Sequence, residues 1–184
     1  AMVVSIVLGM GMPTTAAYAV AASVIAPGVV NLGVEPLIAH LFIFYFAVMS
    51  AITPPVALAS YAGAALSGSD PVKTSVESFK IGLAAFVVPY MFFFSPAMLL
   101  QGKWFEIAHI AVTAVVGVYL LSCAVQGWFV GRAGVAVRVA LAVGGLSMIV
   151  GGWVTDAIGL GIAGVLYALQ KHLISPATVA KGAD

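Results

Sequence analysis

The chain has 184 residues, of which 63% are hydrophobic and 7% are charged, and its mean hydropathy is +1.18. Soluble domains carry roughly a quarter charged residues, so this chain has too few charges to cover a water-soluble surface. A net charge of +1 argues against nucleic-acid binding, which needs clustered cations, and the single Cys123 excludes an internal disulfide. The composition predicts an all-α integral membrane protein.

The first predicted element is a re-entrant helical hairpin over residues 1–30. Residues 1–8 are apolar but too few to cross a hydrocarbon core, which takes about 20 helical residues. The run Gly-Met-Gly-Met-Pro-Thr-Thr over residues 9–15 interrupts the helical pattern, and an apolar arm follows over residues 14–27. We expect this arm to end near Pro27-Gly28, because proline and glycine both disfavour helix continuation.

A second interrupted helix is predicted over residues 37–68. The run Ser-Ala-Ile-Thr-Pro-Pro over residues 50–55 divides this apolar stretch. Two consecutive prolines remove two backbone donors and clash with the preceding turn, so a straight helix is improbable. Non-helical backbone at membrane depth persists only where it is buried in protein or lines a polar cavity. We therefore predict two half-helices that meet at depth beside a binding site.

The remaining elements are predicted as ordinary membrane helices. Residues 68–80 are the most polar stretch and form an interfacial helix or loop, with a helix start at Ser69-Asp70-Pro71. A spanning helix covers residues 81–100, and Trp104 suits the membrane interface. The segment 101–184 adds spans at residues 107–126 and 135–153, a shorter one at residues 157–170, and a cytoplasmic tail.

The distribution of basic residues predicts the orientation. One side of the alternating spans receives six of the seven basic residues, namely Lys73, Lys80, Arg132, Arg138, Lys171 and Lys181, and the other side receives Lys103. The positive-inside rule makes the first side cytoplasmic, together with the C-terminus. The connection over residues 28–36 is then external, and the tip of the hairpin enters the membrane from outside.

The two breaks favour ligands of opposite charge. Pro13 suits the first turn of the following helix, and Thr14 and Thr15 add hydroxyls at its N-terminus, where unpaired N–H groups and the helix dipole attract an anion such as a carboxylate. The carbonyls before Pro54 lack normal helical partners and are predicted to face a cation. The hydroxyls of Ser50 and Thr53 complete a sodium shell. Discontinuous helices of this kind are typical of secondary transporters.

Other polar residues are weaker candidates. The histidines His40, His109 and His172 lie near predicted span ends, and Asp156 is predicted in an external turn, so none of the four is expected to carry protons.

The motifs GMPTTAAY, at residues 11–18, and SAITPPVAL, at residues 50–58, resemble the C-terminal half of the large permease subunit of TRAP transporters. The chain is especially similar to the fused permeases that pair with TAXI-type binding proteins, and the resemblance covers about residues 5–100. The resemblance implies an elevator-type secondary transporter of the bacterial inner membrane. A transporter of this kind is expected to import a small organic anion by symport, with sodium as the coupling ion and no other cofactor, and to receive its solute from a periplasmic solute-binding protein.

The resemblance also implies residue roles. The sodium ligands, mostly backbone carbonyls, are Gly9, Gly11, Thr14, Ser50, Ala51, Ile52, Thr53 and Pro54, and the substrate-binding residues are Met12, Pro13, Thr14, Thr15, Tyr18 and Pro55. Residues 1–100 then belong to the transport domain. The first inverted repeat and the helices of the small subunit are not found in this chain, so we expect those permease segments as partners and interpret the chain as half of an inverted-repeat transporter.

Two other functions stay open on the sequence. A channel or pore-forming subunit also uses broken helices, but it conducts ions without a binding protein. An intramembrane enzyme needs a nucleophile beside a base at matching depth, and the serines here have no histidine that is clearly placed for this role.

Overall fold

The computed structural model describes residues 1–173, which form nine α-helices and no β-strand. The predicted all-α membrane fold is confirmed by four helical segments of this range that are long and apolar enough to cross a membrane: Thr14–Asn31, Pro71–Phe94, Trp104–Gln126 and Trp153–Lys171. The chain divides into two compact units, of which the first ends at Phe93 and the second begins at Phe94. Lys181, predicted to be cytoplasmic, lies outside the described residues.

The first unit begins with a helical hairpin. Helix α1 (Met2–Gly9) and helix α2 (Thr14–Asn31) pack against each other and against α3 (Pro36–Met49). Helix α2 does not end near Pro27, as the sequence predicted, but continues past it. It ends where Gly33 takes a left-handed conformation with φ +91°. Proline removes only one backbone hydrogen bond, and the α2 residues on the buried face, including Ala26, stay packed.

The predicted break between two half-helices is present in the first unit. Helix α3 passes into a short 3-10 turn over Ser50–Ile52, and helix α4 (Leu58–Ser67) begins only after a non-helical stretch with a cis peptide bond between Pro54 and Pro55. Ala57, which precedes α4, has a left-handed backbone with φ 31°.

The rest of this unit differs from the predicted layout. Helix α5 (Pro71–Gly82) starts at the predicted Asp70 cap, where the side chain accepts a hydrogen bond from Lys73 N at 2.8 Å. The helical path then continues through a 3-10 stretch at Leu83–Val87 into helix α6 (Val88–Phe94). The segment that is long and apolar enough to cross a membrane here is Pro71–Phe94, whereas the sequence predicted a span over residues 81–100. The helix starts early at its capped first turn and ends before Ser95-Pro96, as expected because a residue that precedes proline disfavours helical backbone.

The second unit contains helices α7 (Trp104–Gln126), α8 (Val135–Ile149) and α9 (Trp153–Leu173). Helix α8 is shorter than predicted and α9 is longer. Asp156 lies in the first turn of α9, not in a turn between helices, because α9 begins at Trp153.

Glycines allow close helix packing in this unit. A Cβ atom on Gly145 of α8 would lie 2.8 Å from the carbonyl oxygen of Gly117 on α7. The buried core includes Leu120, Leu141 and Met148, one or more from each of the two helices. Contacts of this kind replace the hydrophobic effect as a source of helix association inside a membrane.

Candidate functional site

The structure brings the two predicted breaks together. We define the hairpin tip as residues 10–13 and the helix break as residues 50–57. Gly9, immediately before the tip, packs so closely on the helix break that a Cβ there would lie 2.6 Å from Ser50 Oγ. A Cβ on Gly11 would lie 3.5 Å from Val56 Cγ1, and Gly11 has a φ of +77°. Gly9 is therefore required because a side chain has no space there, and Gly11 is required because its backbone conformation favours glycine.

The prolines determine which carbonyls of the helix break lack a helical partner. In an α-helix each carbonyl accepts from the N–H four residues ahead, and for Ser50 and Ala51 these positions are Pro54 and Pro55, which have none. The Ser50 carbonyl instead accepts from Thr53 N at 3.2 Å. The prediction that this carbonyl is free is therefore wrong, because the 3-10 turn supplies a donor one residue earlier.

Ala51 has no such alternative. Its other possible helical donor, three residues ahead, is Pro54, which also lacks an N–H. For the Ile52 carbonyl, the residue three ahead is Pro55, which has no N–H to donate. Among residues 1–173, no backbone hydrogen bond to the Ala51 or Ile52 carbonyl is found outside the helices. Carbonyl oxygens in this state match a hard cation that prefers oxygen ligands.

The two hydroxyls of the helix break donate to the backbone. Ser50 Oγ, which is buried, donates to the Ala47 carbonyl at 2.6 Å, and Thr53 Oγ1 donates to the Met49 carbonyl at 2.8 Å. A hydroxyl that donates its only proton keeps two lone pairs for acceptance. Both oxygens are thus oriented as acceptors, which is the state in which a hydroxyl can bind a cation.

The N-terminus of α2 follows directly on the hairpin tip. Thr14 and Thr15 are exposed, Pro13 is the N-cap, and no side chain caps the helix. The first backbone bond into this turn is from Ala17 N to the Pro13 carbonyl at 2.9 Å. The N–H groups that precede Ala17 have no intrahelical partner, which makes this end suitable for an anion.

The other predicted substrate residues are more dispersed. Met12 packs against the buried cluster between α2 and α3, so much of its side chain is occupied by the core. Pro13 and Pro55 are exposed, and the Pro55 carbonyl accepts from the Tyr61 hydroxyl at 2.6 Å. Tyr61 thereby connects the helix break to α4, a contact that the sequence reasoning missed.

The side chain of Tyr18, on α2, contacts α3. Its hydroxyl lies 2.9 Å from His40 Nδ1, and its ring contacts Phe44 edge-on with centroids 5.4 Å apart. The side chain lies one turn along α2 from Thr14, on the buried side of the helix. His40 is thus a hydrogen-bond partner of Tyr18, a contact that its predicted position near a span end did not indicate.

Two buried serines near the helix break were not predicted. Ser5 on α1 is fully buried and Ser60 on α4 is 5% exposed, and neither hydroxyl has a hydrogen-bond partner among the described residues. Ser5 lies four residues before Gly9 and so shares its helix face. That spacing was the available signal, but it gains meaning only once Gly9 is known to face Ser50.

The second unit contains one buried ionisable pair. His109 Nε2 on α7 lies 3.2 Å from Asp156 Oδ2 on α9, and Asp156 is 4% exposed. The ring of Trp153 stacks on His109 with centroids 4.1 Å apart. Both residues belong to the second unit, whereas the predicted site lies in the first unit. Cys123, also in the second unit, is a buried free thiol in the core.

The sequence model of the family described as tripartite ATP-independent periplasmic transporter, DctM component, matches residues 1–107. The chain belongs to this family. No curated protein matches the chain, and no solved structure matches it either.

Membership in the DctM family has direct consequences for this chain. The match covers the whole first unit, including the hairpin tip and the helix break. The DctM component is the permease of a secondary transporter, a class of multi-pass membrane protein and not a class of enzyme. The family also implies a periplasmic binding protein as a partner.

Proposed function

We propose that this DctM chain supplies one half of the transport site of a sodium-coupled importer for a small organic anion, most simply a carboxylate. The contact between Gly9 and Ser50 carries the proposal, because it brings the hairpin tip, which leads into an uncapped helix N-terminus, against a helix break with oxygens that can accept from a cation. The solute arrives from a periplasmic binding protein of the TAXI type, and the permease resides in the bacterial inner membrane with the C-terminus in the cytoplasm.

The sodium ion in this proposal binds at the helix break. Its ligands are neutral oxygens, namely the carbonyls of Ala51 and Ile52 and the hydroxyls of Ser50 and Thr53, with the residues around Gly9 and Gly11 closing the shell. A neutral set of this kind suits a monovalent cation that must bind and leave in each cycle. The ion in turn reduces the cost of placing an anionic substrate at the start of α2.

The substrate in this proposal binds at the N-terminus of α2, where Thr14 and Thr15 offer hydroxyls and backbone N–H groups. A second permease repeat acts as a partner and supplies the opposite wall, and the unit moves across the membrane as an elevator. A channel would share the broken helices, but it would conduct ions without binding a solute. A transporter that binds its substrate at the N-terminus of α2 predicts saturable uptake instead.

Thr53→Val tests the sodium assignment in the permease that contains this chain. Valine keeps the shape of threonine but removes the hydroxyl ligand. We expect the sodium concentration for half-maximal uptake in proteoliposomes to rise roughly five- to tenfold. This change corresponds to a loss of ~1–1.5 kcal/mol of binding free energy, which is about the contribution of one hydrogen bond. The assay is solute uptake with the binding protein present, measured against sodium concentration.

Thr74→Val is the matched control. Its hydroxyl also donates to the carbonyl four residues earlier at 2.8 Å, but Thr74 lies near the start of α5 and is not part of the helix break. We expect uptake by this variant to keep the sodium dependence of the wild type. An equal change in both variants would mean that loss of a helix hydroxyl, rather than of a sodium ligand, is responsible. Ion current without solute or binding protein would instead support a channel.

A further inference from the structure

Three of the four lysine and arginine residues in the described part of the second unit, residues 94–173, lie at one end. These three cations are Arg132 in the loop between α7 and α8 (residues 127–134), Arg138 in the first turn of α8, and Lys171 in the last turn of α9. The two carboxylates among residues 94–173, Glu106 and Asp156, lie in the first turns of α7 and α9, at the opposite end. The cations therefore have no carboxylate near them in the described part of the unit.

One of the three cations is already used by the fold. Arg138 donates from Nε to the Ala124 carbonyl at 2.7 Å and from Nη2 to the Val125 carbonyl at 3.0 Å. It thus satisfies carbonyls at the C-terminus of α7, where the helix dipole also favours a positive charge. Arg132 is exposed and makes no such contact with the carbonyls of α7.

A cavity of about 580 Å³ opens beside Arg132. Its walls combine a cation, an amide and apolar surface, from Trp128, Val130, Gly131, Arg132, Gly134, Val137 and Gln170. This volume lies within the range of about 300–1,000 Å³ that is usual for small-molecule sites.

Gln170 shows that the cavity is a built feature of the fold. The residue is 6% exposed, and its Oε1 accepts from Val130 N at 3.0 Å, which ties the end of α9 to the α7–α8 loop. Among residues 1–173 no hydrogen-bond partner is found for its amide nitrogen, and Gln170 is one of the residues that line the cavity. The loop itself is closed by a bond from Ala133 N to the Gly127 carbonyl at 2.8 Å.

We propose that this cavity binds the headgroup of an anionic phospholipid, with Arg132 as its main charge partner. Arg132 and the Gln170 amide face the phosphate, and Val130 and Val137 border the start of an acyl chain. The occupant is a lipid rather than a soluble anion because the cavity lies at the ends of membrane-spanning helices. Trp128, 57% exposed, is the kind of residue that anchors a protein at the headgroup level. Basic pockets between membrane helices are typical sites for such headgroups.

Titration with phosphatidylglycerol tests this proposal on the full chain in mixed micelles of neutral detergent and phosphatidylcholine. Bound phosphatidylglycerol is counted by native mass spectrometry. Arg132→Gln is expected to weaken binding about fivefold, because one basic residue near a lipid surface contributes ~1 kcal/mol. Arg132→Lys keeps the charge and is expected to retain most of the affinity.

Gln170→Glu is a second variant, and it keeps an acceptor for the bond that ties α9 to the α7–α8 loop. Its carboxylate still accepts from Val130 N but places a negative charge on the cavity wall. We expect it to weaken phosphatidylglycerol binding about tenfold or more, since it both removes a donor and repels the phosphate. Binding that is unchanged in Gln170→Glu would overturn the proposal.

Lys103→Gln provides the control for net charge. Lys103 lies at the opposite end of the unit, immediately before α7, and its loss changes the net charge of the chain as much as the loss of Arg132. We expect normal lipid binding in this variant. Equal weakening by Lys103→Gln and Arg132→Gln would show attraction to total charge and refute a specific site. Competition by soluble glycerol phosphate at the same concentration as the lipid would refute the assignment to a lipid.

Discussion

Gly9→Ala is the sharpest test of the contact between the hairpin tip and the helix break. The added Cβ would lie 2.6 Å from Ser50 Oγ and 3.1 Å from the Ala47 carbonyl oxygen, whereas real Cβ atoms essentially never come within 3.0 Å of such a neighbour. Ser50 cannot swing aside freely, because it is buried and its hydroxyl is bound to that same Ala47 carbonyl.

The magnitude follows from two opposing effects. Overpacking by one methyl group costs about 1–3 kcal/mol. Replacing glycine by alanine in a helix contributes up to ~1 kcal/mol of stability, and less at Gly9, which is the last residue of α1. We therefore expect Gly9→Ala to lower the free energy of unfolding by about 1–2 kcal/mol.

Gly28→Ala is the matched control. A Cβ at Gly28, within α2, would have no atom within 4 Å, so only the gain in helix propensity remains. We expect this variant to be unchanged or more stable by up to ~1 kcal/mol. The two variants are compared by reversible unfolding with SDS in mixed micelles. Equal stability of the two would refute the close packing of Gly9 on the helix break.

A double variant identifies the clashing atom. Ser50→Ala removes the Oγ atom that a Cβ at position 9 would meet, and leaves the Ser50 Cβ at 3.1 Å. The combined variant Gly9→Ala and Ser50→Ala should therefore lose less stability than the sum of the two single variants, by about 1 kcal/mol. Strictly additive losses would mean that α1 is displaced from the helix break for another reason.

Two further predictions concern the second unit. Gly145→Ala should destabilise the unit by about 1–3 kcal/mol, because its Cβ would lie 2.7 Å from Leu121 Cγ, while Gly161→Ala, with no atom within 4 Å, should be neutral or stabilising in the same unfolding assay. His109→Leu and Asp156→Leu should each destabilise the unit, but their double variant should lose about 1–3 kcal/mol less than the sum, since each single change leaves a polar partner buried. Additive losses in this cycle would exclude an energetic coupling of the pair.

Much of the first unit was predictable because its signals are local. The double proline at Pro54 and Pro55 removes two helical donors wherever the segment lies, so the break in the helix follows from covalent structure. Asp70 before Pro71 is a helix start for an equally local reason, and the structure has the predicted cap. Pro27 misled the prediction, because the loss of one hydrogen bond was outweighed by the packing of the surrounding helix.

The candidate site was predictable only in part. The sequence placed oxygens and N–H groups at two breaks, but the 3-10 turn that pairs the Ser50 carbonyl with Thr53 depends on how the chain continues after the prolines. Sodium and substrate ligation stay predictions. Asp156 was predicted in a turn because no strong local signal marks the start of α9 at Trp153. Its pairing with His109 was not predicted, because that contact joins two separate helices.

The sequence by itself determined that this is a helical membrane protein with two interrupted helices, since composition and proline chemistry act residue by residue. Only the tertiary structure decided that Gly9 lies against Ser50 and that Gln170 ties α9 to the α7–α8 loop. It also decided that Arg138 is occupied by backbone carbonyls while Arg132 borders a cavity. These contacts join residues far apart in the chain, and which distant faces meet depends on packing of the whole unit rather than on the preference of any one segment.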